Sequence, residues 1–188
     1  MKYLEDFVPG QVETVGDHSL SPGEIMEYGQ AWDPQPMHVG PESAAAAEFG
    51  GLVAAGTHLV AITVLKLVTH LPKVAILAGL GWDEVRFHRP ARPGDRLTVT
   101  RECLDVRPSK SKNDRGVVRN RITLTNQAGE LVLSYIDAIL VASRPANHPN
   151  TRGWQPDSRV SDSKDTVCQI LLASPDRIHP ANRESFTG

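Results

Sequence analysis

A carboxylate and an imidazole five residues apart, Asp33 and His38, lie inside the run AWDPQPMHVGP, Ala31 to Pro41. A pair of that kind can take a proton from water and return one to carbon, provided both groups are held in place. Pro34 and Pro36 do the holding: each locks φ at about −65° and pushes the residue before it, Asp33 or Gln35, toward extended backbone. The run is therefore expected to be a stiffened loop, too rich in proline to be helical.

A third group follows in PESAAAAEFGGLVAAGTHLVAITVLKLVTHLP, Pro41 to Pro72. Phe49-Gly50-Gly51 breaks an alanine-rich helical stretch over 42–48, because each glycine costs about 1 kcal/mol in a helix interior relative to alanine. Helix resumes at Ala55 or Gly56 and stops at Pro72. Leu59, Ile62, Leu65 (or Lys66), Val68 and Leu71 recur at steps of three and four, with Val60, Val64 and Leu67 thickening the stripe, which predicts a buried helix. Its first turn carries unpaired N–H groups and about half a positive charge, and Gly56, without a Cβ, lets a ligand oxygen come close to them. Ala55 and Thr57 flank that glycine. With Gln35, Trp32, Met37 and Leu59 they are the expected substrate-binding residues.

The elements that must position these groups can be traced along the chain. Val12 to Ser19 reads as a strand, and Ser21-Pro22-Gly23-Glu24 as a capping box with proline at the first helical position. The short helix it opens runs through Tyr28 or Ala31 and delivers Asp33. After the apolar helix, Leu77 to Phe87 and Leu97 to Val106 read as strands joined through an Arg92-Pro93-Gly94-Asp95 turn. In the second of them the apolar residues move from odd positions, Leu97 and Val99, to even ones, Leu104 and Val106, which predicts a bulge. Val117 to Thr125 and Leu131 to Ala142 form a hairpin closed at Gly129. The last strand is apolar on both faces, as a strand inside a sheet is. One long apolar helix between an early strand and a run of antiparallel strands is an α+β layout with the sheet wrapped around the helix.

The order D-x-x-P-x-H at Asp33, Pro36 and His38, then FGG, then A-x-G-T-H opening an apolar helix, resembles the MaoC-like dehydratases, the hydratase-2 or (R)-specific enoyl-CoA hydratase branch of the hot-dog fold. The resemblance covers about residues 4 to 144. It implies a single hot-dog domain over 1–144, an Asp33–His38 catalytic pair, a Gly56 amide that holds a thioester oxygen, an acyl-CoA or acyl-carrier thioester as substrate, and a homodimer with active sites near the subunit boundary. The family pattern is D-x-N-P-x-H. Gln35 stands here where that pattern has asparagine, so the amide must orient its neighbours differently. A hot-dog thioesterase is the alternative on the same fold, but it would place a carboxylate on or beside the helix, and Phe49 through Pro72 has none. A binding module without turnover is the other alternative.

Charge and cysteine content narrow the partners. Twenty Lys and Arg against 22 Asp and Glu leave a net charge of −2, so no field favours nucleic acid or an anionic membrane. Two cysteines, Cys103 and Cys168, without C-x-x-C or metal-ligand spacing, fit a reducing, cytoplasmic setting, with no metal site or cofactor expected. No run approaches the roughly 18 apolar residues of a membrane span, and the N-terminus has no signal-like apolar segment. His70, His148 and His179 stand singly and carry no expected role, and the charged stretch 107–116 reads as a solvated hairpin tip. From residue 145 the chain turns to Pro, Asn, Ser, Asp and Arg around one apolar island, Val167 to Ala173, and is expected to be an extension that is weakly structured or packed on a partner.

Overall fold

The computed structural model describes residues 1–145. The expected extension over 145–188, with its apolar island, Cys168, His148 and His179, lies outside the described residues apart from Pro145. A short 3-10 turn at Leu4–Asp6 precedes β1 (Val12–Ser19), α1 (Pro22–Trp32), α2 (Pro36–Val39), α3 (Ala44–Glu48) and α4 (Gly56–His70). β2 (Ile76–Phe87), β3 (Arg96–Pro108), β4 (Arg115–Thr125) and β5 (Leu131–Ala142) complete the domain. The strands form one antiparallel sheet in the order β1-β3-β4-β5-β2, so all four helices fall between the two edge strands in sequence.

The strands form where alternation and turn residues place them, and the expected bulge in β3 lies between Cys103 and Asp105. Gly129 adopts φ +75° in the β4–β5 turn. β5 lies between β4 and β2 and buries the adjacent pairs Val132–Leu133 and Tyr135–Ile136, which fits an interior strand. Along β4 the buried residues Val118, Asn120, Ile122 and Leu124 alternate, so they share one face. Leu59, Val60 and Ile62 of α4 pack with Ile122 and Leu124 at one end of that face, and Leu4 and Phe7 pack with Val118 at the other. Between the two clusters the buried Arg101 is paired with Glu13, and Asn120 Nδ2 donates to Asp137 Oδ1 at 2.8 Å. Thr63 of α4 donates to the Val60 carbonyl at 2.7 Å and so receives its other bond from the Tyr135 hydroxyl at 2.8 Å, pinning α4 to β5.

Three expectations need correction. The run after Asp33 is not wholly a loop: Pro36 occupies the first position of a single helical turn, where its missing N–H costs nothing, and His38 sits in that turn. Only half of the capping box forms, since Ser21 Oγ accepts from the Glu24 amide at 3.1 Å while the Glu24 carboxylate is engaged with His18 and His58. Finally, α4 is not buried all round. The sheet covers one side of a cylinder, leaving Val64 37% and Val68 70% exposed on the other.

Position should therefore decide the cost of substitution more than hydropathy does. Leu97→Ala, at a fully buried site, is expected to cost about 2–5 kcal/mol. Val68→Ser is expected to change stability by less than about 0.5 kcal/mol. Urea unfolding of the two variants against the parent chain measures both.

Candidate active site

Asp33 caps the C-terminal end of α1, its amide donating to the Gly29 carbonyl at 2.9 Å, so the orientation of that helix sets where the carboxylate stands. Pro34 prevents the helix from continuing, and one turn of α2 then lifts His38 back toward it. The turn lies hard against α1. A Cβ at Gly29 would come within 2.9 Å of the His38 carbonyl oxygen and 3.0 Å of Val39 Cγ1, an approach that only glycine permits.

His38 is buried, and its Nδ1 lies 2.8 Å from the Val53 carbonyl oxygen. A carbonyl can only accept, so in the neutral ring Nδ1 carries the proton and Nε2 presents a lone pair. Nε2 faces Asp33 Oδ2 at 3.8 Å. The other carboxylate oxygen, Oδ1, accepts from the Gln35 side-chain amide at 2.9 Å, and the Gln35 backbone N–H donates to the Asp33 carbonyl at 2.8 Å. Gln35, expected to touch substrate, thus has a partner within the protein and orients the carboxylate.

The link to Val53 also sets the pair near the start of α4. The Val53 amide donates to the Met37 carbonyl at 3.2 Å, so residues 37–38 and 53 are tied twice, three residues before Gly56. Ala55 is the N-cap of α4 and offers no side-chain cap, whereas Ser21 and Ser43 cap α1 and α3. The first amides of α4, the longest helix among the described residues, have no side-chain cap and are left for another acceptor. The side-chain space at Gly56 is taken: a Cβ built there would lie 2.6 Å from Cζ of Phe87. Among the expected substrate contacts, Trp32 and Thr57 are exposed and Met37 is half-buried, while Ala55 and Leu59 are buried, Leu59 in the core.

A second polar cluster, which sequence spacing does not disclose, braces α1 against α4. Glu24 Oε1 accepts from His18 at 2.8 Å and lies 3.3 Å from His58 Nε2, and the Tyr28 ring stacks on the His58 ring at 4.3 Å and 7°. Burial raises the Glu24 carboxyl, but the hydrogen bonds from His18 and His58 outweigh it and hold the pKa at about 2. Only the histidine in A-x-G-T-H hinted at this cluster. Its partners are 34 and 40 residues away in the chain, as the numbering of Glu24, His18 and His58 gives.

The family model for the MaoC like domain matches residues 7–126. The chain belongs to that family. The Bacillus subtilis protein YdeM is 31% identical over 125 residues, covering 66% of this chain and 87% of YdeM. The β-methylmalyl-CoA dehydratase of Chloroflexus aurantiacus is 33% identical over 106 residues, covering 56% of this chain and 28% of that enzyme. A solved MaoC-like dehydratase from Rhodospirillum rubrum is 37% identical with a TM-score of 0.71, covering 76% of this chain and 98% of that one. The five-stranded antiparallel sheet on its central helix is the hot-dog fold. No helix among the described residues is long and apolar enough to cross a membrane.

The Glu24 cluster predicts an acid limb in stability. The folded value of about 2 lies below the ordinary 4.5, so the stabilisation is complete above pH 4.5 and drains away as pH falls toward 2. Glu24→Gln should flatten the decline in Tm between pH 5 and 3, read by thermal melts across that range.

Proposed function

We propose that this chain is a hydratase/dehydratase that adds water to, or removes it from, the double bond of an enoyl-CoA-type thioester. One observation carries the reading: His38 Nε2 and Asp33 Oδ2, both acceptors, face each other across 3.8 Å. Two acceptors at that span are satisfied by one water that donates a hydrogen to each, which leaves the water oxygen's lone pairs free to attack. As the water oxygen bonds to C3 of the enoyl group, one water proton passes to the pair, the C2=C3 electrons form a C1=C2 bond and the carbonyl electrons move onto the thioester carbonyl oxygen. The resulting enolate recovers that proton at C2, which closes the balance: water in, hydroxyacyl thioester out. Asp33 stabilises the imidazolium that forms if His38 takes the proton, and Gln35 keeps the carboxylate turned toward it.

The developing enolate oxygen needs donors. The Gly56 amide and the uncapped first turn of α4 are suited to that role, with the positive end of a 15-residue helix behind them. The reaction moves a proton and a hydroxyl group without change of oxidation state, so it calls for no redox cofactor. The names of relatives such as the β-methylmalyl-CoA dehydratase support a CoA thioester as substrate class. Asp33→Asn and His38→Ala should each lower kcat/KM on an enoyl-CoA by about 10²–10⁴-fold with an unchanged circular dichroism spectrum. The assay is loss of enoyl absorbance with mass-spectrometric detection of one added water, and undiminished turnover in both variants would remove the pair from the mechanism.

A second copy of the chain is the proposed partner. β2 is an edge strand that exposes Ile76, Leu77, Leu80 and Trp82, each about half accessible, and free edges of that kind pair with another strand. Leu80→Lys is expected to convert a dimer to monomer in sedimentation velocity. A parent chain that sediments as a monomer would remove this partner.

A further inference from the structure

The histidine of A-x-G-T-H has no part in the reaction as written, yet its surroundings are costly for a side chain kept only for packing. His58 is 4% exposed and lies in the first turn of α4, two residues after Gly56. Its Nε2 is 3.3 Å from Glu24 Oε1, and a carboxylate only accepts, so in the neutral ring Nε2 carries the proton. That leaves a lone pair on Nδ1, which is buried and meets no partner among the described residues. Protonating the ring would turn the lone pair into an equally unmet N–H. An unmet polar atom in the interior costs about 1–3 kcal/mol, and a leucine would fill the place without it. The position therefore gives up stability for something that an apolar side chain lacks.

What the imidazole adds is two directional contacts, both to α1. Its edge donates to Glu24, and its face stacks on the Tyr28 ring with 4.3 Å between centroids and 7° between planes. An edge contact and a face contact together restrict the ring about both of its torsions. Glu24 is itself fixed, since its other partner, His18 at 2.8 Å, comes from β1. Tyr28 stands five residues before Asp33, whose amide closes the last turn of α1 on the Gly29 carbonyl. His58 is about 3 Å along the helix axis from Gly56. The contact thus joins the helix that ends at the carboxylate to the helix that offers its amides. The tie at Val53 runs instead through residues 53–55, which belong to neither helix.

We propose that His58 is a positioning residue for the hydration reaction: gripped by Glu24 and Tyr28, it fixes the first amides of α4 at the separation from Asp33 and His38 that lets one bound thioester reach both. This deepens the hydratase reading above and rests on it. The amides are needed most when charge develops on the thioester carbonyl oxygen, so a shift of α4 against α1 weakens the transition state more than the bound substrate. Loss of His58 then lowers kcat and leaves KM nearly as it was. A histidine kept for structure alone would do the reverse, lowering stability and sparing kcat.

The test pairs steady-state kinetics with thermal melts of the full chain. But-2-enoyl-CoA and 2-methylbut-2-enoyl-CoA are the probes, and His58→Leu and His58→Gln the variants. His58→Leu removes the donor, the stacking face and the unmet nitrogen together. On whichever thioester the parent chain hydrates, it is expected to lower kcat about 10- to 100-fold with little change in KM, and to melt at or above the parent temperature. His58→Gln keeps an N–H donor for Glu24 and should recover part of the lost kcat. Glu24→Ala combined with His58→Leu should lose less than the product of the two single losses, because His58 acts through Glu24. Parent kcat in His58→Leu overturns the inference and leaves the hydratase reading standing. So does a loss of kcat in both variants that tracks a melting temperature well below the parent's. A parent chain that hydrates neither thioester overturns that reading and the inference with it.

Discussion

The bond from His38 Nδ1 to the Val53 carbonyl decides the chemistry of this site and its placement together. Chemically, it fixes the proton on Nδ1 and leaves a lone pair on the nitrogen that faces Asp33. Spatially, it joins the turn that carries the imidazole to the segment leading into α4, and the reciprocal bond from Val53 N–H to the Met37 carbonyl makes the join two-pronged. A ring anchored only by its Cα could rotate Nε2 away from the carboxylate. Here rotation would leave a buried nitrogen and a carbonyl unpaired, at a cost of about 1–3 kcal/mol.

α1 is the second constraint, because everything in the pair hangs from it. Its last turn holds Asp33, its Gly29 receives the backbone of α2 at van der Waals limit, and its Glu24 and Tyr28 grip His58 two residues into the helix that starts at Gly56. The apolar burial of α1 is slight, mainly Ile25 and Gly29, so polar and stacking contacts supply much of its docking. Rigid elements therefore set the separation between the Asp33–His38 pair and the first amides of α4. The proposed proton transfer and oxyanion stabilisation depend on that separation, since both fall steeply with misplacement.

The two edges of the sheet differ in a way that matters for the site. β1 pairs with β3 and supplies Glu13 and His18 to internal networks. β2 is exposed along nearly its whole length and carries the irregular register that puts Phe87 on Gly56. A single strand thus ends the sheet, leaves an exposed edge and sends one ring against the start of α4.

Chain order alone determined a good deal. Alternation, helical spacing and turn residues set the strands and helices, because those signals are local. The spacing of Asp33 and His38, with A-x-G-T-H after it, marked the candidate pair and the glycine because prolines and glycines restrict backbone wherever they stand. Pro36 starts a helical turn although its run is rich enough in proline to suggest a loop, since local sequence does not say on which side of a proline the helix lies. The spacing of Ser21 and Glu24 suggests a full capping box, and only His18 and His58, brought in from β1 and α4, draw the carboxylate away. What only the tertiary structure decided are the relations between elements: the tautomer of His38, which depends on a carbonyl 15 residues away; the open side of α4, which depends on how far the sheet wraps; and the facing of Phe87, which depends on pairing with β5. Each of these rests on a contact between residues distant in sequence, and no local pattern encodes a distance.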